Sequence, residues 1–269
     1  MTRQMLHEQI LQKQSFLCVG LDADIHKLPK HLLTERDPIF TFNRAIIDAT
    51  ADLAVAYKPN MAFYESLGIR GWESLQNSLE YIPSECFTIA DAKRGDIGNT
   101  AHMYARTFFN TYPFDSVTVN PYMGKDSVTP FLGYEGKWAI VLGLTSNPGA
   151  EDFQHFEGKD EPMYSYAIKK MASWGTPDNL MFVVGATRVD EMASIRAMVP
   201  EYFLLVPGVG AQGGTLSDVY KHGANSQVGL LVNASRSILY ASSGKDFAEA
   251  ARAEALRMQQ EMAALMAAK

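Results

Sequence analysis

Short apolar runs alternate with stretches of helical period from one end of the chain to the other. Eight runs read as strands: 16–21, 53–58, 87–93, 116–120, 138–145, 180–186, 202–207 and 227–233. Most lack polar/apolar alternation, which is how strands buried on both faces look in parallel sheets. Helix-like segments lie between them, for instance over 40–52, 100–111, 164–174 and 188–198. The last, 246–267, is rich in Ala, Met, Glu and Gln, all good helix formers. Eight strands, each followed by a helix, make a single (β/α)8 barrel domain over 1–269 the economical reading. A doubly wound open sheet is the rival. No G-x-G-x-x-G follows the first strand, which weakens that rival in its dinucleotide-binding form.

Composition narrows the partners. The 269 residues are 47% hydrophobic and 20% charged, which suits a globular chain with a large core. The net charge of −6 leaves no basic field to hold nucleic acid or an anionic membrane, so any anion site must be local. Cys18 and Cys86 lie in or beside apolar runs and read as buried free thiols, which fits a reducing compartment. The polar, amphipathic start of the chain has no apolar core of a signal peptide, and no stretch approaches the roughly 18 apolar residues of a membrane span. The cytoplasm is the expected location.

The candidate chemistry gathers where the predicted strands end. Asp22, Lys58, Asp91, Lys93, Asn120, Ser146, Gln212 and Arg236 all lie at or just past a strand's C-terminal end, the end at which barrels of this kind keep their active sites. Within Asp91-x-Lys93-x-x-Asp96, residues 91 and 93 are two apart, so an extended strand points both side chains to one face. Charges facing a barrel mouth are costly unless paired. Lys58 and Asp96 supply two more, and the four cancel. Asp96 follows Lys93 by three residues, roughly 10 Å of extended chain. It either reaches the site of a neighbouring subunit or complements the dipole of the helix expected to start near 98–100.

Two further runs suit an anion. Pro207-Gly208-Val209-Gly210-Ala211-Gln212-Gly213-Gly214 follows the seventh strand, and its glycines let backbone N–H groups approach an oxygen-rich group. Asn233-Ala234-Ser235-Arg236-Ser237 follows the eighth and brings a guanidinium near a helix start. Barrels often bind phosphate between these two loops. The turn-rich segment from Thr145 to Asp152, running on to about Pro162, reads as a long lid or binding loop. Within it, Ser146 is either a reader of an imide-like edge or a plain turn serine. The six histidines are scattered without i, i+4 pairing, so no metal site is expected of them.

Taken together, Gly20-Leu21-Asp22, Lys58-Pro59, Asp91-Ala92-Lys93-Arg94-Gly95-Asp96-Ile97-Gly98-Asn99-Thr100, Ser146-Asn147-Pro148-Gly149, Pro207 to Gln212 and Ser235-Arg236-Ser237 occur in one order. In these motifs the chain resembles the orotidine 5′-phosphate decarboxylases of the longer bacterial type, from about Phe16 to Tyr240. The resemblance implies a cofactor-free homodimeric barrel that converts orotidine monophosphate to uridine monophosphate and CO2. It implies that Lys93 delivers a proton to C6 of the pyrimidine and that Asp91 sits against the leaving carboxylate. Lys58 and Asp22 would contact the ribose, with Lys58 also bracing Asp91. Asp96, Ile97 and Thr100 would come from the partner subunit, Ser146 would read the pyrimidine amide, and Gln212 and Arg236 would hold the phosphate. Pro207, Ser235 and Asn120 join the substrate-binding set, the last without a definite role.

Three rivals stay open at this level. A Mg²⁺-dependent phosphosugar barrel shares D-x-K-x-x-D, but such relatives carry an acidic metal ligand where this chain has Lys58, and a cation there repels Mg²⁺. A Schiff-base aldolase would use Lys58 or Lys93. A non-catalytic phosphometabolite-binding barrel would keep the glycine loop and Arg236 but has no use for four costly charges.

Overall fold

In the computed structural model, which describes residues 1–186, 188–209 and 214–268, all eight expected strands are present. They are β1 (Leu17–Gly20), β2 (Ala56–Lys58), β3 (Phe87–Arg94), β4 (Ser116–Val119), β5 (Trp138–Leu144), β6 (Leu180–Val184), β7 (Phe203–Pro207) and β8 (Leu230–Ala234). Their order closes as β1-β2-β3-β4-β5-β6-β7-β8, a (β/α)8 barrel. Helices before, between and after the strands include α1 (Arg3–Lys13), α2 (Pro38–Thr50), α3 (Met61–Glu65), α4 (Ile69–Tyr81), α5 (Gly98–Arg106) and α6 (Lys125–Leu132). Then come α7 (Ala150–Phe153), α8 (Met163–Ala172), α9 (Val189–Met198), α10 (Leu216–Gly223), α11 (Arg236–Leu239) and α12 (Phe247–Ala267). None of the described helices is long and apolar enough to cross a membrane.

The chain falls into two compact units, divided within β3 after Ala92 and within β8 after Val232. One comprises residues 8–92 and 233–269. Here β1 pairs in parallel with β2, Cys18 opposite Ala56, and β2 with β3, Ala56 opposite Phe87. Asp37 caps α2 by accepting the Phe40 N–H, and Pro38 supplies a pre-set first-turn residue. The helix then buries Phe42, Asn43, Ile46 and Ile47. Phe42 stacks on Phe247 of α12 with ring centroids 5.1 Å apart. Asn43, a polar residue of that stripe, donates to the Tyr64 and Ser78 hydroxyls, both at 2.9 Å, and its Oδ1 has no hydrogen-bond partner among the described residues.

The other unit comprises residues 1–7 and 93–232. Strands β4 to β7 pair in parallel here, with Ser116 opposite Trp138, Ala139 opposite Leu180 and Met181 opposite Phe203. Both faces are buried, as the unbroken apolar runs of β5 and β6 imply. Arg196 of α9 is 9% exposed and ties the foot of this unit together. Its guanidinium donates to the carbonyls of Gly223, Val199, Pro200, Tyr202 and Gly229 at 2.6–3.3 Å. Burial pulls its pKa down to about 10, so it stays charged at neutral pH. Arg196→Met leaves five carbonyls to find other donors and is expected to cost about 3 kcal/mol. That corresponds to a fall in Tm of roughly 6–12 °C by differential scanning calorimetry.

Several expected boundaries shift for local reasons. The eighth strand starts at Leu230 rather than 227, because Val228 and Gly229 adopt positive φ (65° and 62°) in a turn closed by hydrogen bonds between Asn225 and Val228. The second starts at Ala56, although the Val55 N–H still bonds the Leu17 carbonyl at 2.9 Å. The helix expected over 100–111 starts at Gly98 and widens into a π turn over Thr107–Thr111. The segment from Thr145 to Pro162 is not a plain loop, since it contains α7.

Candidate active site

In the first unit, the end of β2 meets the end of β3. Lys58 Nζ lies 2.8 Å from Asp91 Oδ2, and the two residues are 4% and 9% exposed. The Asp91 N–H bonds the Pro59 carbonyl at 3.0 Å, so the ladder that sets this pair continues to the strand ends. Burial alone would pull the Lys58 pKa down. The carboxylates of Asp91 and Asp22 outweigh it and hold the pKa above the usual lysine range, so the ammonium is charged at neutral pH. Replacing one member of such a pair strands the other charge.

Asp22 follows β1. Its carbonyl accepts a hydrogen bond from the Tyr240 hydroxyl at 3.0 Å, while the Tyr240 hydroxyl oxygen accepts the Asp24 N–H at 2.9 Å. The Tyr64 hydroxyl donates to the Leu21 carbonyl at 2.7 Å. Two phenols, the buried Tyr64 and the half-buried Tyr240, therefore fix the turn that carries Asp22. Its Oδ1 is buried and, among the described residues, has no hydrogen-bond partner. A carboxylate oxygen in that state takes a donor from solvent or from a ligand.

The end of β8 packs against β1. A Cβ on Gly20 would collide with the Ser235 hydroxyl, so a glycine is required there. Ser235 Oγ accepts from Asn233 Nδ2 at 3.3 Å, and Asn233 Oδ1 lies 3.6 Å from Cys18 Sγ. Cys18 is a free thiol, pushed up to about 12 by burial, which makes it a packing group and not a nucleophile. Cys86 is free and buried as well. Arg236 opens the short helix α11, is exposed, and makes no ion pair among the described residues.

The second unit carries the remaining candidates. Lys93 has φ +48°, a left-handed backbone at the end of β3. The two-residue parity of an extended strand therefore does not decide where its side chain points. Its N–H donates to Thr118 Oγ1 at 2.8 Å. Asp96 Oδ1 accepts the Ile97 N–H at 2.8 Å. Ile97, the N-cap of α5, and Thr100 in its first turn are both exposed. Asn120 accepts the Tyr122 N–H through Oδ1 at 3.1 Å, so its carboxamide shapes the turn after β4.

Ser146 lies directly over Gly185, where a Cβ would come within 2.8 Å of the serine Cβ. Gln154 pins the segment before Ser146: its Oε1 accepts the Thr145 N–H and its Nε2 donates to Thr145 Oγ1, both at 2.8 Å. The Pro207 carbonyl at the end of β7 accepts the Ala186 N–H at 3.0 Å. Gln212 lies outside the described residues. No group of three or more potential metal ligands occurs among the described residues.

Sequence reasoning missed Thr118, Gln154, Gly185 and Tyr240. For Thr118 a signal exists: Ser116-Val117-Thr118-Val119 alternates polar and apolar within a buried strand, so the hydroxyl needs a specific partner.

Comparison with known proteins places this geometry. Residues 15–253 match the model of the orotidine 5′-phosphate decarboxylase / HUMPS family. The orotidine 5′-phosphate decarboxylase of Flavobacterium johnsoniae is 60% identical over 272 residues, covering 100% of both chains. That of Bacteroides fragilis is 56% identical over 267 residues, covering 98% of this chain and 97% of the relative. The solved structure of Leishmania donovani OMP decarboxylase superposes with a TM-score of 0.84 at 32% identity, covering 97% of each chain. With a family match over most of its length and full-length relatives this similar, the chain belongs to the orotidine 5′-phosphate decarboxylase / HUMPS family.

Proposed function

We propose that this chain decarboxylates orotidine 5′-monophosphate to uridine 5′-monophosphate and CO2, a step of pyrimidine biosynthesis, as one barrel domain in the cytoplasm with no cofactor. The observation that carries the reading is the buried Lys58–Asp91 pair at 2.8 Å beside Asp22 Oδ1, which has no hydrogen-bond partner among the described residues. An ion pair this buried is weak evidence for stability, so its place at the ends of β2 and β3 points to chemistry. The direct assay mixes the chain, exhaustively treated with EDTA, with orotidine monophosphate and follows absorbance and released CO2. Turnover is expected. Absence of both signals overturns the reading, and turnover only on adding Mg²⁺ points to the metal-dependent barrels.

Each residue takes a role in this proposal. Asp91 faces the substrate carboxylate, and like charges at 4 Å repel by about 1 kcal/mol in bulk water and roughly 4 at an effective dielectric of 20. The C6–carboxylate bond breaks, CO2 leaves, and the electron pair stays on C6. The Lys93 ammonium gives C6 its proton and regains one from water. Lys58 and Asp22 hold the ribose hydroxyls, and Ser146 reads the pyrimidine amide. Arg236 and Gln212, with Pro207 and Ser235, hold the phosphate. Asp96, Ile97 and Thr100 serve the site of a second copy in a homodimer, a role that suits the exposure of Ile97 and Thr100.

Phosphate binding lies far from the reacting carbon and contributes through positioning. Arg236→Ala is expected to raise KM for orotidine monophosphate by roughly 10²-fold, the scale of a lost charge-assisted contact. Phosphite added to a phosphate-free nucleoside should partly restore turnover. Wild-type KM in this variant removes Arg236 from the site.

A further inference from the structure

Among the described residues, three non-glycine residues have positive φ: Gln14, Lys93 and Val228. Gln14 follows α1 and Val228 sits in the turn before β8, but Lys93 lies inside a strand. A left-handed backbone is disfavoured for a side chain with a Cβ and persists only where the surroundings enforce it. Those surroundings are on the neighbouring strand. The Lys93 N–H is turned to β4. It donates to the side-chain hydroxyl of Thr118 at 2.8 Å. Thr118 is 1% exposed, so the acceptor is fixed in packed surroundings. One residue on, the Arg94 carbonyl accepts the Asn120 N–H at 2.7 Å. The Arg94 guanidinium sits over the rings of Tyr104 and Phe108, 5.3 and 5.4 Å from their centroids. Next, a Cβ on Gly95 would come within 3.2 Å of the Asn120 carbonyl, so the chain runs tight against the end of β4. The strand is pinned just past Lys93, and at Lys93 itself the Thr118 hydroxyl takes the amide N–H.

We propose that Thr118 is a positioning residue for the decarboxylation: its Oγ1 takes the Lys93 amide N–H and so holds the lysine in the left-handed conformation from which its ammonium serves the reacting carbon. A regular ladder bond would draw residue 93 back to extended geometry and turn its side chain. A side-chain acceptor satisfies the N–H without imposing that geometry. The inference rests on the proton-donor role assigned to Lys93.

The test is Thr118→Val, which keeps the β-branched shape and removes the acceptor. Displacement of a reacting group by about 1 Å costs on the order of 10²-fold. The variant is therefore expected to lose roughly 10- to 100-fold in kcat, with KM for orotidine monophosphate and affinity for uridine monophosphate within about twofold of wild type. Thr118→Ser restores the acceptor and should recover most of kcat. A valine variant with wild-type kcat overturns the proposal, as does an equal loss in kcat and in product affinity, which marks general disruption. If the valine variant does not fold, Thr118→Ala is read by the same criteria. Lys93→Ala, assayed alongside, separates the two layers. Full turnover there sinks the donor role, whereas a dead Lys93→Ala beside a normal Thr118→Val sinks only the positioning role.

Discussion

Lys93→Ala is expected to lower kcat by roughly 10⁴-fold or more, while far-ultraviolet circular dichroism and Tm stay near wild type. General acid catalysis alone is worth about 10²–10⁴, and stabilisation of charge developing on C6 adds to it. The lysine side chain is exposed, so its removal opens no cavity in the core. Affinity for uridine monophosphate should change far less than kcat, because phosphate and ribose contacts lie elsewhere on the nucleotide. A Lys93→Ala enzyme that turns over orotidine monophosphate at near-normal rates would falsify the donor assignment.

Asp91→Asn should fail in two ways at once. Activity falls because, in the proposed mechanism, the charge that opposes the substrate carboxylate is gone. Stability falls because the buried Lys58 ammonium loses its counter-ion, a loss of about 3–5 kcal/mol for a stranded buried charge. A chain of this size should then melt roughly 6–20 °C lower. The pH dependence gives the sign. The folded pKa of Lys58 is raised in the wild type, so its stabilising contribution is complete below the unfolded lysine value of about 10.4 and disappears as pH climbs through the higher folded value. In the variant, burial acts with less opposition and lowers that folded pKa. Its penalty shrinks as pH rises towards the unfolded value. The stability gap between the two proteins should therefore be widest near neutrality and narrow in alkali, as chemical denaturation at several pH values would show. A gap that widens with alkali contradicts the assignment of charge to Lys58.

The fold is largely legible in the chain because a parallel barrel buries both faces of its strands. Trp138–Leu144 and Leu180–Val184 are apolar without interruption, and no amphipathic helix of that length reads the same way. The rim is legible for a related reason: a charge at the end of a buried run, such as Lys58 or Asp91, has to face the open end of the barrel or be paired. What stays hidden depends on single torsions and close approaches. The left-handed turn at Lys93 leaves no mark in local composition, because the hydroxyl that holds it, Thr118, is 25 residues away in sequence. The need for Gly20 shows only once Ser235 is seen against it, and the need for Gly185 only beneath Ser146. The helix α7 within the segment after β5 was obscured by turn-forming Asn147, Pro148 and Gly149, which set its entry. Arg196 looks like a solvated helix charge in sequence, whereas five carbonyls converge on it, three from the turn after its own helix and two from Gly223 and Gly229.

The central claim concerns one nitrogen, and a crystal structure of the chain with a uridine-monophosphate-like inhibitor tests it most directly. The Lys93 Nζ should lie about 3–3.5 Å from the ring position corresponding to C6, the separation of a near-attack arrangement, with Asp96 of a second copy approaching the same nucleotide. A Lys93 side chain turned away from the base, with another group facing C6, would contradict it.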